Sequence, residues 1–198
     1  MPPGGDALEQ ARFRRIGDRE RFDGGFFHVR TATVVGPDGF TFEREVIRHP
    51  GAVAVVPLES DGRSVLMVRQ YRAALDRALL ELPAGKRDIA DEDPALCARR
   101  ELVEEIGREA GSLAEIARFY NSPGLSDEET IVFLAEDLGE VPRQAHGVEE
   151  EHMTLERVSL VEIEDLMAAG DLSDGKSVIG LYAARSLLSA RYRAKNVP

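Results

Sequence analysis

The stretch that most constrains this chain is residues 81–107, ELPAGKRDIADEDPALCARRELVEEIG, a turn that feeds one short helix. Pro83 and Gly85 punctuate its start. Pro94 stands where a first helical turn begins, behind Asp91 or Asp93 as the capping residue. Nothing from Ala95 to Ile106 breaks a helix, and Gly107 is a natural stop. Within that helix Glu101, Glu104 and Glu105 stand at i, i+3 and i+4. At about 3.6 residues per turn they leave from one face. Like charges so placed repel by only about 0.2–0.5 kcal/mol per pair in water. Taken alone, the pattern therefore also fits a solvated acidic face.

Around this helix the chain alternates strand-like and helix-like runs. FFHVRTATVV (26–35) and TFEREVIR (41–48) are β-rich and joined by Gly36-Pro37-Asp38-Gly39, a strong hairpin signal. A ribbon this small buries no core alone and must pack on the rest of the chain or on a second subunit. AVAVVPL (52–58) and SVLMVRQYR (64–72) are continuously apolar, the mark of strands covered on both faces. LAEIARFY (113–120), TIVFLAED (130–137) and MTLERVSLV (153–161) read as further strands, with a long loop over 138–152. Helices are predicted over 161–169 and 177–193, the latter with Ile179, Tyr182, Leu187 and Tyr192 as its apolar stripe. Residues 1–15 read as a loose polar tail. Strands interleaved with helices make this an α/β chain, divided into a tail and β-ribbon over 1–48 and a main domain over 49–198.

Composition excludes several classes of function. A net charge of −11 repels nucleic-acid backbone and anionic membrane alike. No apolar run is long enough to span a bilayer, and the first fifteen residues lack a secretory pattern. Cys97 is the only cysteine, so no internal disulfide is possible and a cytoplasmic location is expected. The histidines at 28, 49, 146 and 152 have no zinc-ligand spacing. There is no GxSxG elbow, and Cys97 lies inside the helix with no histidine beside it in sequence.

Gly85, Glu92 and the run Arg100-Glu101-Leu102-Val103-Glu104-Glu105-Ile106-Gly107 resemble the Nudix box. That loop–helix–loop binds divalent metal and hydrolyses nucleoside diphosphates linked to another group. Two positions depart from it. Six residues separate Gly85 from Glu92, one more than the family pattern has, and Arg108 replaces an aliphatic residue. The upstream QYRAALDRALLELPAGK, and Pro123 placed sixteen residues beyond Gly107, are similar to the ADP-ribose pyrophosphatase branch, so the resemblance covers roughly 26–190. It implies a Nudix-type α/β/α sandwich with a mixed central sheet and an N-terminal antiparallel ribbon serving as a dimerisation arm. It also implies a homodimer that hydrolyses ADP-ribose to AMP and ribose 5-phosphate. Another nucleoside diphosphate sugar, such as GDP-mannose, is the alternative substrate. A non-catalytic ADP-ribose sensor is a reading from a different class, although sensors of this kind usually have eroded box glutamates.

The resemblance assigns Mg²⁺, or Mn²⁺, to Glu101, Glu104, Glu105 and the carbonyl of Ala84. Clustered carboxylates suit hard, oxygen-seeking cations, whose charge cancels the repulsion between them. Gly85, Glu92, Arg100 and Gly107 become structural, with Arg100 bracing the glutamates. A glutamate in GVEEEHM (147–153) is implied as the general base. Matching back from Met153 selects Glu149, with Glu150 and Glu151 as alternatives. Arg72, ending an apolar strand, is a phosphate clamp, since guanidinium offers paired donors to phosphate oxygens. Arg44, Phe26 and Glu128 are the remaining substrate-binding candidates. One rival motif stands apart: Gly170–Ser177 satisfies GxxxxGK[ST], but a helical run precedes it where a P-loop needs a strand. It is read as a connector between two helices.

Overall fold

The computed structural model describes residues 12–195. Its elements are β1 (Arg14–Asp23), β2 (His28–Val35), β3 (Thr41–Arg48), β4 (Ala52–Pro57), β5 (Ser64–Arg72), β6 (Arg77–Glu81), β7 (Ala84–Lys86) and α1 (Pro94–Ile106). These are followed by β8 (Arg108–Tyr120), β9 (Glu129–Glu140), α2 (Val148–Glu151), β10 (Thr154–Ser159), α3 (Ile163–Ala168) and α4 (Gly175–Lys195). Contacts divide the described residues into two units. One runs to Pro50 and includes Ser122–Glu128; the other holds Gly51–Asn121 and everything from Glu129 onward.

The first unit is an antiparallel sheet in the order β1-β2-β3. The hairpin foreseen at 36–39 joins β2 to β3, with Gly39 at φ 80°. Strand β1 was not legible: RRIGDRERFD is polar apart from Ile16 and Phe22 and lies almost wholly exposed, so it carries no apolar alternation. Arg14 and Arg15 thus belong to a strand rather than to the expected tail, the rest of which falls largely outside the described residues. Residues 122–128 close onto the end of β3. Ile47 and Leu125 share a backbone bond, while Asp127 accepts from the His49 N–H at 2.9 Å and from Arg48 at 3.0 Å.

The second unit is built on β4 and β9, which run parallel with Ala52 opposite Thr130 and Pro57 opposite Ala135. Strands β7 and β8 flank them antiparallel, and a separate sheet runs β10-β5-β6. Residues along β4 alternate between two cores, as a period of two dictates. Val53 and Val55 join Cys97, Ala98, Leu102 and Ile106 of α1, with Ile131 and Phe133. Ala54 and Val56 join Leu181 and Ala184 of α4, with Val132 and Leu134. Helices therefore cover the mixed sheet on both faces, which is why its strands read as unbroken apolar runs.

Several boundaries differ from expectation. Strand β8 begins at Arg108, because pairing with β9 extends through polar residues up to Arg108–Glu140. The loop expected over 138–152 is shorter: β9 continues to Glu140 and α2 occupies four of its residues. Of the stripe assigned to the last helix, Tyr182 and Leu187 pack against the core. Ile179 and Tyr192 are exposed, while Ser177, Leu181 and Ala184 are buried. Gly180 explains how closely α4 approaches the sheet. A Cβ there would lie 2.6 Å from Leu82 Cδ1 and 3.1 Å from Val132 Cγ1, both of them locked in the core. Gly180→Val is expected to lower unfolding free energy by about 1–3 kcal/mol, through overpacking that outweighs its gain in helix propensity, as measured by urea denaturation.

Candidate active site

Helix α1 is held in place at both ends. The Asp93 carboxylate accepts the Ala95 N–H at 2.8 Å, Pro94 sits in the first turn, and Gly107 adopts φ 62°, ψ 45°. The buried stripe of Cys97, Ala98, Leu102 and Ile106 fixes how the helix is rotated on the sheet. That rotation carries Glu101 and Glu105 inward, to 6% and 3% exposure. The bland alternative, a solvated acidic face, is excluded for these two.

They meet the turn between β6 and β7. Glu105 accepts the Ala84 N–H at 3.0 Å. A Cβ on Gly85 would fall 1.9 Å from the Glu101 carboxyl carbon, so only glycine admits that carboxylate. Arg100 ties the cluster together. Its Nε and Nη2 donate to Glu92 at 3.1 and 3.0 Å, and its Nη1 donates to Glu101 at 2.8 Å and to Glu104 at 3.0 Å. Glu92 thus reaches its bracing partner in spite of the extra residue after Gly85. Burial is the first cause that pushes Glu101 up to about 7 and Glu105 up to about 8. The Cys97 thiol is driven by burial to about 12, which leaves it protonated and unfit as a nucleophile.

Helix α2 supplies the acidic run. Of its three glutamates, Glu150 is half-buried and the other two are exposed. The charge of Glu150 is felt at both Glu101 and Glu105. Glu149 lies near Tyr71, whose hydroxyl is shifted up first by its bond to Asp76, then by burial and last by Glu149. Of the three, Glu150 is the one whose charge reaches the helix glutamates. Glu150 Oε2 accepts the His146 N–H at 2.6 Å, and the Arg143 guanidinium donates to its carbonyl. His146 Nδ1 stands 3.6 Å from Glu104 Oε1.

Arg72 is half-buried and pinned, its Nε and Nη2 each 2.7 Å from the two oxygens of Glu81. It is also near enough to be influenced by Glu105. Glu81 was not singled out by sequence. The available signal was a charge inside the apolar run ALLEL, and its side chain is 1% exposed. In the sequence Lys176 stands out only through the P-loop pattern. It contacts Glu81 and lies 3.0 Å from Asp174, while α3 precedes it, so no P-loop forms. Arg44, Phe26 and Glu128 belong to the first unit. Arg44 lies over the Phe42 ring at 4.5 Å, Phe26 packs edge-on against Phe27 and His49, and the Glu128 N–H donates to Ser126 Oγ.

The pattern that defines the NUDIX domain matches residues 48–179 of this chain. The chain belongs to the Nudix hydrolase family. It is 35% identical over 168 residues to the ADP-ribose pyrophosphatase of Bacillus subtilis (strain 168), covering 85% of this chain and 90% of that one. It is 36% identical over 175 residues to the ADP-ribose pyrophosphatase of Mycobacterium tuberculosis (strain ATCC 25618 / H37Rv), covering 88% and 84%. A crystal structure titled as an ADP compounds hydrolase superposes with a TM-score of 0.78 at 23% identity, covering 91% of this chain and 96% of that chain. That likeness establishes the Nudix fold.

Nudix hydrolases generally use divalent cations, and the residues here fit one. Their donors are hard carboxylate oxygens, and two of them are buried with little positive charge to offset them beyond Arg100 and Lys176. Among the described residues no three acidic, cysteine or histidine side chains already converge as a ligand set, and Arg100 donates to both Glu101 and Glu104. No described helix is long and apolar enough to cross a membrane.

The buried carboxylates set a pH dependence for the metal-free chain. Glu105 binds a proton when folded up to about 8, whereas the unfolded chain releases it near the ordinary 4.5. Stability therefore falls as pH rises through this window, and Glu101, at about 7, acts in the same direction. In EDTA, Glu105→Gln is expected to raise Tm at pH 8.5 relative to the parent chain, an advantage that fades as pH drops to about 4.5, followed by calorimetry at stepped pH.

Proposed function

We propose that this Nudix hydrolase cleaves the diphosphate of ADP-ribose, adding water to give AMP and ribose 5-phosphate. The observation that carries the reading is the α1 carboxylate set packed on Ala84–Gly85, together with the two ADP-ribose pyrophosphatase relatives. Glu101, Glu104 and Glu105, with the Ala84 carbonyl, would hold Mg²⁺ or Mn²⁺. When bound, such a cation neutralises the diphosphate and acidifies a nearby water.

The chain's own residues do the rest. Arg100 keeps Glu101 and Glu104 oriented through bonds from a single nitrogen. Glu150, on α2, takes a proton from the water as its oxygen attacks phosphorus and the bridging P–O bond breaks. Arg72 steadies the phosphate oxygens as charge grows on them. Arg44, Phe26 and Glu128 are assigned to the nucleoside and sugar ends. The N-terminal sheet is assigned to a homodimer interface, and the buried lone thiol supports a cytoplasmic setting.

Turnover of ADP-ribose with Mg²⁺, scored by phosphate released after phosphatase treatment, tests the reading against GDP-mannose in the same screen. ADP-ribose is expected to be preferred; calorimetric binding without turnover would instead favour a sensor. Glu104→Gln and Glu105→Gln are each expected to lower kcat by about two orders of magnitude or more with little loss of fold. Glu150→Gln is expected to fall further than Glu149→Gln or Glu151→Gln, by about 10²–10⁴-fold in kcat, and a larger loss at Glu149 would restore the first register. Sedimentation of the full chain is expected to give the mass of a dimer.

A further inference from the structure

The residues of the P-loop-like segment form a closed network behind Arg72. Glu81 is a buried carboxylate shared by two cations: Arg72 holds both its oxygens at 2.7 Å, and Lys176 contacts Oε2. Asp174 holds Lys176 at 3.0 Å and accepts from the Ser177 N–H at 3.0 Å and from Ser177 Oγ at 2.5 Å. Ser177 Oγ in turn accepts the Leu82 N–H at 2.7 Å, one residue beyond Glu81. All of this is set by the start of α4, whose Ser177 is fully buried.

The arrangement raises a physical difficulty for a phosphate clamp. Burial alone pushes the Glu81 carboxyl up, yet the Arg72 bonds and the Lys176 charge outweigh it and keep Glu81 ionised. If Arg72 were its sole counter-ion, turning the guanidinium toward a phosphate would strand a buried carboxylate, which is strongly unfavourable. A second cation removes that barrier. Lys176, with its side chain 14% exposed, is already seated on Glu81 and anchored from behind by Asp174.

We propose that Lys176 is a positioning residue for Arg72: it stays on Glu81 as the resident counter-ion and so frees the Arg72 guanidinium to take a phosphate group. The inference rests on the diphosphate reading of the site but not on which nucleotide sugar is cleaved. Lys176 need not touch substrate. Its effect passes through one shared carboxylate, so deleting that carboxylate should cancel the effect of deleting the lysine.

The test is a cycle of Lys176→Met, Glu81→Gln and the double variant, with Lys176→Arg as the conservative replacement. It is read by Tm and by calorimetric binding of inorganic pyrophosphate in Mg²⁺. Lys176→Met is expected to weaken pyrophosphate binding about tenfold and to lower Tm, since it leaves Glu81 with Arg72 alone. Lys176→Arg should bind as the parent does. The double variant should regain binding to within about threefold of the parent, because no buried anion then competes for Arg72. In the Lys176→Met background, Arg72→Ala should add little. Parent-like binding by Lys176→Met overturns the proposal, as does a double variant that binds worse than Lys176→Met. Absence of ADP-ribose turnover with pyrophosphate binding and its coupling intact would sink the substrate assignment alone.

Discussion

The structure depends on keeping two carboxylates, Glu101 and Glu105, where a protein ordinarily tolerates none. They are buried because α1 must turn Cys97, Ala98, Leu102 and Ile106 into the core, and around the helix both glutamates lie on the strip between Cys97 and Leu102. Their neighbours make the placement bearable without neutralising it. Ala84 donates one backbone bond, Arg100 one guanidinium corner, and Gly85 leaves room where any side chain would collide. A folded chain that retains acidic groups with protonation pushed toward neutrality holds strain that a divalent cation would relieve. Function and fold here draw on the same few atoms.

The same logic of shared charge recurs on both sides of the site. Arg100 is divided among Glu92, Glu101 and Glu104. Glu81 is divided between Arg72 and Lys176. In each case one buried or half-buried ion has more than one partner, so one contact can loosen without leaving a bare charge. That property suits a site whose groups must reorganise around a polyanion.

The legibility of the chain followed the distance over which its signals act. Asp93, Pro94 and Gly107 bounded α1 because capping is a local matter of backbone bonds within one turn. The apolar runs at 52–58 and 64–72 announced covered strands because continuous apolar character is likewise a local signal. Strand β1 escaped because it has no alternating apolar face and exposes its side chains at nearly every position. The choice among Glu149, Glu150 and Glu151 also escaped. Within one helical turn, neighbouring side chains diverge by about 100°, and the contacts that distinguish Glu150, from the Arg143 guanidinium and the His146 N–H, come from residues outside that turn.

By itself the sequence determined the capped helix, its three glutamates on one face, the α/β alternation and the glycine that stops the helix. All of these are properties of spacings shorter than about two helical turns. Only the tertiary structure decided that two of those glutamates are buried against Ala84 and Gly85, that Glu150 is the loop carboxylate near them, and that Lys176 stands behind Arg72. Those facts join residues as far apart as 81 and 176. Burial and charge pairing over such separations come from tertiary packing of helices against strands, which no local pattern encodes.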